Sequence, residues 1–168
     1  NFAIELNKYF FEIIIARGYA KNALKILKKK KNRILIDSSN FESEKLFDIN
    51  FFGNTFALQN IDSSIYETKK TKIVTKLKPS KVNIESLKFA FNICKFVKSN
   101  AIVIVKNKST IGIGCGQPSR LDSCKIAIQK ALKFNKNNIS NAIAASDAFF
   151  PFKDGINELI RFGVKTII

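Results

Sequence analysis

The sequence predicts an α/β domain in which a layered mixed sheet carries flanking helices. Short apolar runs suited to strands alternate with segments whose apolar residues recur at helical spacing. The 168 residues, 46% of them hydrophobic, are enough for one globular domain with a core. No apolar run approaches the roughly 18 residues that a membrane span needs. We therefore expect a soluble chain.

The first part of the chain is predicted to form a βαβ unit. Residues 12–16 (EIIIA) favour a buried strand, and the alanines and leucines of residues 20–27 recur at helical spacing. The lysines at 28–31 are expected in the last turn of that helix, where they complement its dipole. Residues 33–36 are expected to return as a strand.

Residues 38–80 are rich in Asn, Asp and Ser and give a weaker pattern. Strands are predicted at residues 55–58 and 72–77. The order of these strands in a sheet stays open.

A second α/β region begins at Asn83, which is the expected N-cap of a helix with apolar residues on one face. Ser119 and Asp122 have the spacing of a capping box at the start of a helix that runs through Leu132. The remaining predicted elements are a hairpin of strands 101–105 and 110–114, a strand at 142–145, a helix at 156–162 and a strand at 164–168.

Three glycines, Gly112, Gly114 and Gly116, directly precede the helix that starts near Ser119. The backbone before a helix can hold an anion, but Gln117 stands where a dinucleotide-binding fingerprint would need a glycine. A tight turn with close helix packing is an equally good interpretation. The glycines alone therefore leave both alternatives open.

The net charge of +16 raises the possibility of nucleic-acid binding. Only 4 of the 29 basic residues are Arg, however, and base and phosphate recognition favours the bidentate guanidinium. Ile, Lys, Asn and Phe make up about half of the chain, and all four have codons rich in A and T. Biased codon usage explains most of the charge, and a non-catalytic basic domain that binds nucleic acid remains the alternative.

The cysteines Cys94, Cys115 and Cys124 form no CxxC motif, and the chain contains no histidine. A Cys/His zinc site is therefore not predicted. A sparse and odd cysteine count is typical of a reducing cytoplasm, and we expect all three thiols to be buried and structural.

Three segments in this order, KSNAIV, TIGIGCGQPSR and ASDAFFPFKDG, resemble the transformylase domain of the bifunctional AICAR transformylase/IMP cyclohydrolase family. FFEIII and ALKILKKKKN also resemble the stretch upstream in bacterial members. The resemblance implies two subdomains of cytidine-deaminase-like fold without zinc. Residues 1–80 would comprise the end of the first subdomain and a connecting segment, and residues 81–168 a truncated second subdomain.

The resemblance implies transfer of the formyl group of 10-formyltetrahydrofolate to AICAR, giving FAICAR. By position, Asn100 matches the asparagine beside the transferred formyl group, and Phe149 matches the residue that contacts the AICAR base. Ser99 and Asp147 match positions around a potassium ion in some members. Positions lining the folate pocket match Arg120, Leu121, Pro151, Phe152 and Asp154.

Some features depart from the family. A Lys-His pair and the cyclohydrolase domain lie upstream in the family, whereas this chain begins with Asn and contains neither Met nor His. Lys153 stands where Arg or Pro is common. We therefore expect a fragment of a longer protein whose sites form across a homodimer and which is inactive in isolation. A decayed pseudoenzyme remains a further alternative.

Overall fold

A computed structural model describes residues 1–41, 47–62, 65–134 and 139–168. The chain divides into two compact units, residues 1–61 and 62–168. The subdomain boundary implied at residue 80 stays a prediction, because compactness alone does not define a family's subdomains. In the described residues, no helix is both long and apolar enough to cross a membrane.

The first unit contains α1 (Phe2–Leu6), β1 (Ile13–Ala16), α2 (Lys21–Leu27), β2 (Ile34–Asp37), β3 (Phe47–Phe52) and β4 (Thr55–Asn60). β1 and β2 are parallel and connected through α2, which confirms the predicted βαβ unit. β3 and β4 form an antiparallel hairpin. The unit thus holds two separate two-stranded sheets.

Two expectations for the first unit need correction, and one strand was not predicted. The strand at 13–16 is not buried, since Ile13 and Ile15 are exposed. The lysines at 28–31 lie beyond the last turn of α2, because the helix ends at Leu27 and Lys28 is its C-cap. β3 was not predicted, although its apolar residues alternate with Asp48 and Asn50 as in a strand with one apolar face.

The second unit contains a 3-10 turn (Thr68–Lys70) followed by α3 (Lys81–Cys94), β5 (Ile102–Lys106), β6 (Ser109–Gly114), α4 (Arg120–Phe134), β7 (Ala142–Ser146), α5 (Lys153–Arg161) and β8 (Val164–Ile167). The four strands form one sheet in the order β6-β5-β7-β8. β5 is antiparallel to β6 and β7, whereas β7 and β8 are parallel. The predicted mixed α/β class is thereby confirmed.

The sheet of the second unit is covered on both faces. Ile102 and Ile104 of β5 pack into a core with α4 and α5, and Val103 and Val105 pack into a second core with α3. This alternation follows from the two-residue period of a strand. β5 is consequently the central buried element of a three-layer domain.

Two cysteines belong to these cores. Cys94 and Cys124 are buried, and burial raises the pKa of their thiols to about 12 and about 11 respectively. Cys115 is exposed, so the expectation that all three thiols are buried is wrong for this residue.

Two predictions of local structure in the second unit are wrong. Residues 72–77 form no strand, and no strand of the described part of the chain pairs with them. The N-cap of α3 is Ser80 rather than Asn83, because the Ser80 Oγ accepts a hydrogen bond from the Asn83 backbone N–H at 3.2 Å.

The glycines of β6 allow close packing against α4. A Cβ atom on Gly112 would lie 2.0 Å from the Ala127 carbonyl oxygen, and one on Gly114 would lie 1.9 Å from that of Ser123. Of the two alternatives left open by the sequence, close packing of strand and helix therefore accounts for these two glycines.

Candidate functional site

The candidate site lies where three loops meet at one edge of the buried sheet. Asn100 precedes β5, the loop 115–119 follows β6, and the segment 147–152 follows β7. Because β5 runs antiparallel to both neighbours, its first residue Ile102 pairs with the last residues of β6 and β7. The antiparallel register thus brings together three segments that are far apart in sequence.

The loop after β6 leads directly into α4. The Ser119 Oγ accepts a hydrogen bond from the Asp122 backbone N–H at 3.4 Å, which agrees with the predicted cap. Gly116 has a positive φ of 65°, and its N–H donates to the Lys98 carbonyl at 2.7 Å. Arg120 is therefore held in the first turn of α4, next to the segment that contains Asn100.

An ion pair between Arg120 and Asp147 lies at the centre of these loops. Their side chains are only 9% and 15% exposed, so water screens their charges little. Arg120 Nη1 also donates to the Ser146 Oγ at 2.7 Å. The Asp147 carboxylate accepts further hydrogen bonds from the Ser99 hydroxyl and, at 2.9 Å, from the Ala101 backbone N–H.

These donors determine the charge state of Asp147. Burial by itself raises the pKa of its carboxyl group, but hydrogen bonds from Ser99, Arg120 and the Ala101 backbone outweigh burial. The pKa therefore lies below the ordinary value, and Asp147 is a carboxylate at neutral pH.

Both the oxygen and the nitrogen of the Asn100 side-chain amide are hydrogen-bonded. Its Oδ1 accepts a hydrogen bond from Arg120 Nη2 at 2.9 Å, while Nδ2 donates to the carbonyl oxygens of Gln117 at 2.9 Å and Pro118 at 3.2 Å. The backbone carbonyl of Asn100 accepts from the Ser123 hydroxyl at 2.7 Å. The amide thus has one defined orientation beside the loop.

A cavity of about 430 Å³ opens next to this network. Its volume falls in the range of typical small-molecule sites, roughly 300 to 1,000 Å³. All seven residues that the resemblance assigns to AICAR or folate line it, namely Asn100, Arg120, Leu121, Phe149, Pro151, Phe152 and Asp154. A larger cavity of about 590 Å³ in the first unit, between residues 10–12 and 30–33, is lined by none of them.

The phenylalanines after β7 differ in their surroundings. Phe149 and Phe152 are 81% and 72% exposed, although both line the cavity. Phe150 is packed against the buried core, and the Arg120 guanidinium carbon lies 5.9 Å from its ring centre. The aromatic turn therefore has one ring that anchors it and two rings available to a flat ligand.

The groups around Asp147 do not fit a potassium ion well. Ser99 and Asp147 lie together as the resemblance implies, but both carboxylate oxygens already accept hydrogen bonds, and one accepts them from a guanidinium. A cation there would be next to the charge of Arg120. Among the described residues, no group of three or more His, Cys, Asp or Glu could hold a metal ion. No step of the proposed chemistry is therefore assigned to potassium.

Four residues of the site were not predicted in these positions. Ser146 and Ser123 bond Arg120 and Asn100, and the carbonyl groups of Gln117 and Pro118 hold the Asn100 amide. A serine at the end of a buried strand could have suggested Ser146. The carbonyl contacts depend on loop geometry and carry no residue-specific signal.

A three-layer α/β domain with a lined cavity at its strand ends has an architecture in which small-molecule sites are commonly found. The profile of the AICARFT/IMPCHase bienzyme family matches residues 1–130. The chain belongs to this family.

Curated relatives agree with this assignment. The chain is 44% identical over 163 residues to the bifunctional purine biosynthesis protein PurH of Wigglesworthia glossinidia brevipalpis, which covers 97% of the chain and 31% of the relative. It is 41% identical over 166 residues to PurH of Aquifex aeolicus, and this match covers 99% of the chain and 32% of the relative. The chain is 40% identical over 169 residues to PurH of Lactococcus lactis subsp. lactis, and this match covers 99% of the chain and 33% of the relative. The chain thus spans about a third of the length of these relatives.

Proposed function

We propose that this chain is part of an enzyme of purine biosynthesis that transfers the formyl group of 10-formyltetrahydrofolate to the 5-amino group of AICAR. Membership of the AICARFT/IMPCHase family supports the pathway, and the relatives are named as bifunctional purine biosynthesis proteins. In this proposal the second unit has the cytidine-deaminase-like fold of the family's transformylase domain.

One observation carries the proposal. Seven residues from three segments of the chain, assigned to AICAR or folate on sequence resemblance alone, line a single cavity. The first is at position 100 and the last at position 154, so their proximity is not a consequence of sequence adjacency. A cavity with a few polar groups and exposed rings suits two flat heterocycles.

The polar groups suit the chemistry of formyl transfer. The AICAR amine attacks the formyl carbon, and the formyl oxygen takes the negative charge until the bond from carbon to the folate N10 breaks. The proton lost by the amine finally resides on N10. An amide N–H beside that oxygen stabilises the developing charge.

Asn100 is the proposed donor. Its exposed bond to the Pro118 carbonyl is the longer of the two that Nδ2 makes, 3.2 Å against 2.9 Å. Exchanging that bond for one to the formyl oxygen would leave the bond to Gln117 and the bond from Arg120 intact. The amide would then act without turning.

Asp154 and the aromatic rings are proposed to bind the two ligands. Asp154 lies in the first turn of α5 and lines the cavity, where its carboxylate can accept hydrogen bonds from the N–H donors of the pterin. Phe149 is proposed to contact the AICAR base, and Phe152 with Pro151 to contact the folate.

The acceptor of the amine proton is proposed to lie outside these residues. The chain contains no histidine, whereas the family resemblance implies a Lys-His pair for the proton transfers. In this proposal the complete site forms in a homodimer of the longer protein. The 168-residue chain alone should bind AICAR weakly and turn over little.

The first experiment measures AICAR binding by titration calorimetry, with formyl transfer assayed in parallel. We expect weak AICAR binding and negligible turnover. Phe149→Ala should weaken binding about tenfold, in line with the loss of an aromatic contact worth about 1.4 kcal/mol. Phe96→Ala is the matched control, since Phe96 is 80% exposed but lies outside the cavity.

Two results would contradict the proposal. Equal losses of AICAR affinity in Phe149→Ala and Phe96→Ala would show that the cavity is not the AICAR site. Rapid turnover by the pure chain would show that no external histidine is needed.

The second experiment separates the two ligands. Asp154→Ala should weaken folate binding about tenfold or more, because a hydrogen bond to a charged group is worth about 1.5 to 3 kcal/mol, while AICAR binding changes less than about twofold. Asp48→Ala, at an exposed position of β3, is the control. An equal loss for both ligands would refute the assignment of Asp154 to the folate.

A further inference from the structure

We propose that Asp147 is a positioning residue, whose carboxylate anchors Arg120 so that Arg120 sets the orientation of the Asn100 amide. Its importance for formyl transfer rests on the function proposed above, while its effect on the amide is a property of the folded chain. The role differs from that of a potassium ligand, which the resemblance implies for Asp147.

The first step is the contact between Asp147 and Arg120. The carboxylate accepts from Nη1, and the same nitrogen donates to the Ser146 Oγ at 2.7 Å. The guanidinium group is planar and rigid, so fixing one arm of the fork fixes the other. Nη2 is thereby directed at Asn100, whose Oδ1 it reaches at 2.9 Å.

The second step concerns the two possible orientations of an asparagine amide. With Oδ1 on Arg120, Nδ2 donates to the Gln117 and Pro118 carbonyl oxygens. Turning the amide by half a revolution would place its NH₂ group against the guanidinium donors and its oxygen against the two carbonyl oxygens. Arg120 therefore determines that the amide N–H groups are on the Pro118 side, where the cavity is.

Asp147 also holds the residues on both sides of Asn100. It accepts from the Ser99 hydroxyl and from the Ala101 N–H, which belong to the residues immediately before and after Asn100. One carboxylate therefore bonds to both neighbours of Asn100 directly and to its side chain through Arg120. A cation ligand would not require this arrangement of donors.

The test uses the 168-residue chain and the variant Asp147→Asn, which keeps the shape and removes the charge. The readout is the pair of side-chain Nδ2–H signals of Asn100 in nitrogen-15 NMR spectra, assigned by their loss in Asn100→Asp. We expect two well-separated signals in the parent chain and their shift or convergence in Asp147→Asn. Asp48→Asn should leave them unchanged.

AICAR affinity provides the functional readout. We expect a loss of about tenfold in Asp147→Asn, with the backbone amide spectrum still dispersed as in a folded protein. If Asp147→Asn does not fold, Ser99→Ala removes a single hydrogen bond to the carboxylate and should shift the same Asn100 signals by a smaller amount.

Three outcomes would overturn the inference. The first is that the Asn100 signals are unchanged in a folded Asp147→Asn variant. The second applies if Asp147→Asn does not fold, and is that the Asn100 signals are unchanged in Ser99→Ala. The third is a shift of the parent signals on addition of potassium chloride that sodium chloride does not produce.

The proposed function can fail separately. If the parent chain binds no AICAR but its Asn100 signals respond to Asp147→Asn, the positioning role stands and the assignment of the ligand is wrong.

Discussion

The two units of the chain bury their apolar residues to very different extents. In the second unit helices cover both faces of the four-stranded sheet, and residues 102–105 of β5 are fully buried. Within the described residues, the two sheets of the first unit have two strands each and leave large apolar side chains exposed. The exposed side chains are Ile13, Ile15, Ile34 and Ile36 of β1 and β2, and Phe47, Ile49, Phe51, Phe52, Phe56 and Leu58 of the hairpin.

This difference explains why the candidate site lies in the second unit. Asn100, Arg120 and Asp147 are adjacent to strands or helices that are held by a complete core, so their side chains can be fixed within hydrogen-bond tolerance. Isolated two-stranded sheets are marginally stable in water, and large exposed apolar patches commonly mark surfaces that bind other protein. We therefore expect the first unit to be the less stable part of the chain.

The largest contrast should come from glycine substitutions. Gly114→Ala places a methyl group against the Ser123 carbonyl and should cost at least about 3 kcal/mol, at the upper end of overpacking effects. Gly53→Ala is the matched change in the first unit. In the described part of the chain no atom lies within 4 Å of its added Cβ, so only its positive φ is strained, at a cost of about 1 kcal/mol.

Urea denaturation followed by circular dichroism measures both variants. Similar losses for the two would mean that α4 does not pack closely on β6 in solution.

A smaller contrast should come from truncating isoleucines. Ile104→Ala removes a fully buried side chain from β5 and should lower the free energy of unfolding by about 2 to 5 kcal/mol. Ile15 is 65% exposed, and Ile15→Ala should cost less than about 0.5 kcal/mol. The same denaturation experiment compares them, and an equally large loss for Ile15→Ala would show that β1 is covered in solution, for example by a second copy.

The third comparison is thiol labelling, which perturbs the protein least because it leaves the sequence unchanged. Maleimide should modify only Cys115 in the folded chain, since Cys115 is exposed and the other two cysteines are buried. Only the thiolate reacts, and burial raises the pKa of Cys94 to about 12 and that of Cys124 to about 11. All three thiols should react in guanidinium chloride. Intact-mass measurement counts the adducts, and rapid labelling of Cys94 in the native protein would contradict the buried core of the second unit.

Much of the fold was predictable because its signals are local. The six strands predicted outside residues 38–80 on the basis of short apolar runs are present, and the segment around residues 20–27 is helical. The strand predicted at residues 72–77 is absent because strand propensity requires a partner strand, which the sequence does not identify. The exposure of Ile13 and Ile15 was missed for the same reason, since burial depends on neighbouring elements.

The residues of the site were predictable from the sequence, whereas the contacts between them were not. Its residues were identified through resemblance of whole motifs, and the cavity contains all seven that were assigned to the two ligands. The contact of Arg120 with Asp147 could not be read from the sequence, because 27 positions separate them and their proximity depends on the register of β5 and β7. The role of each residue toward a ligand stays a prediction.

The most direct test of the account is AICAR titration of the nitrogen-15-labelled chain, followed residue by residue by NMR. We predict chemical-shift changes at residue 100, at residues 117–121 and at residues 149–155, with no comparable changes in residues 1–61. Changes confined to the first unit, or none at millimolar AICAR, would contradict the claim that the strand-end cavity of the second unit is the ligand site.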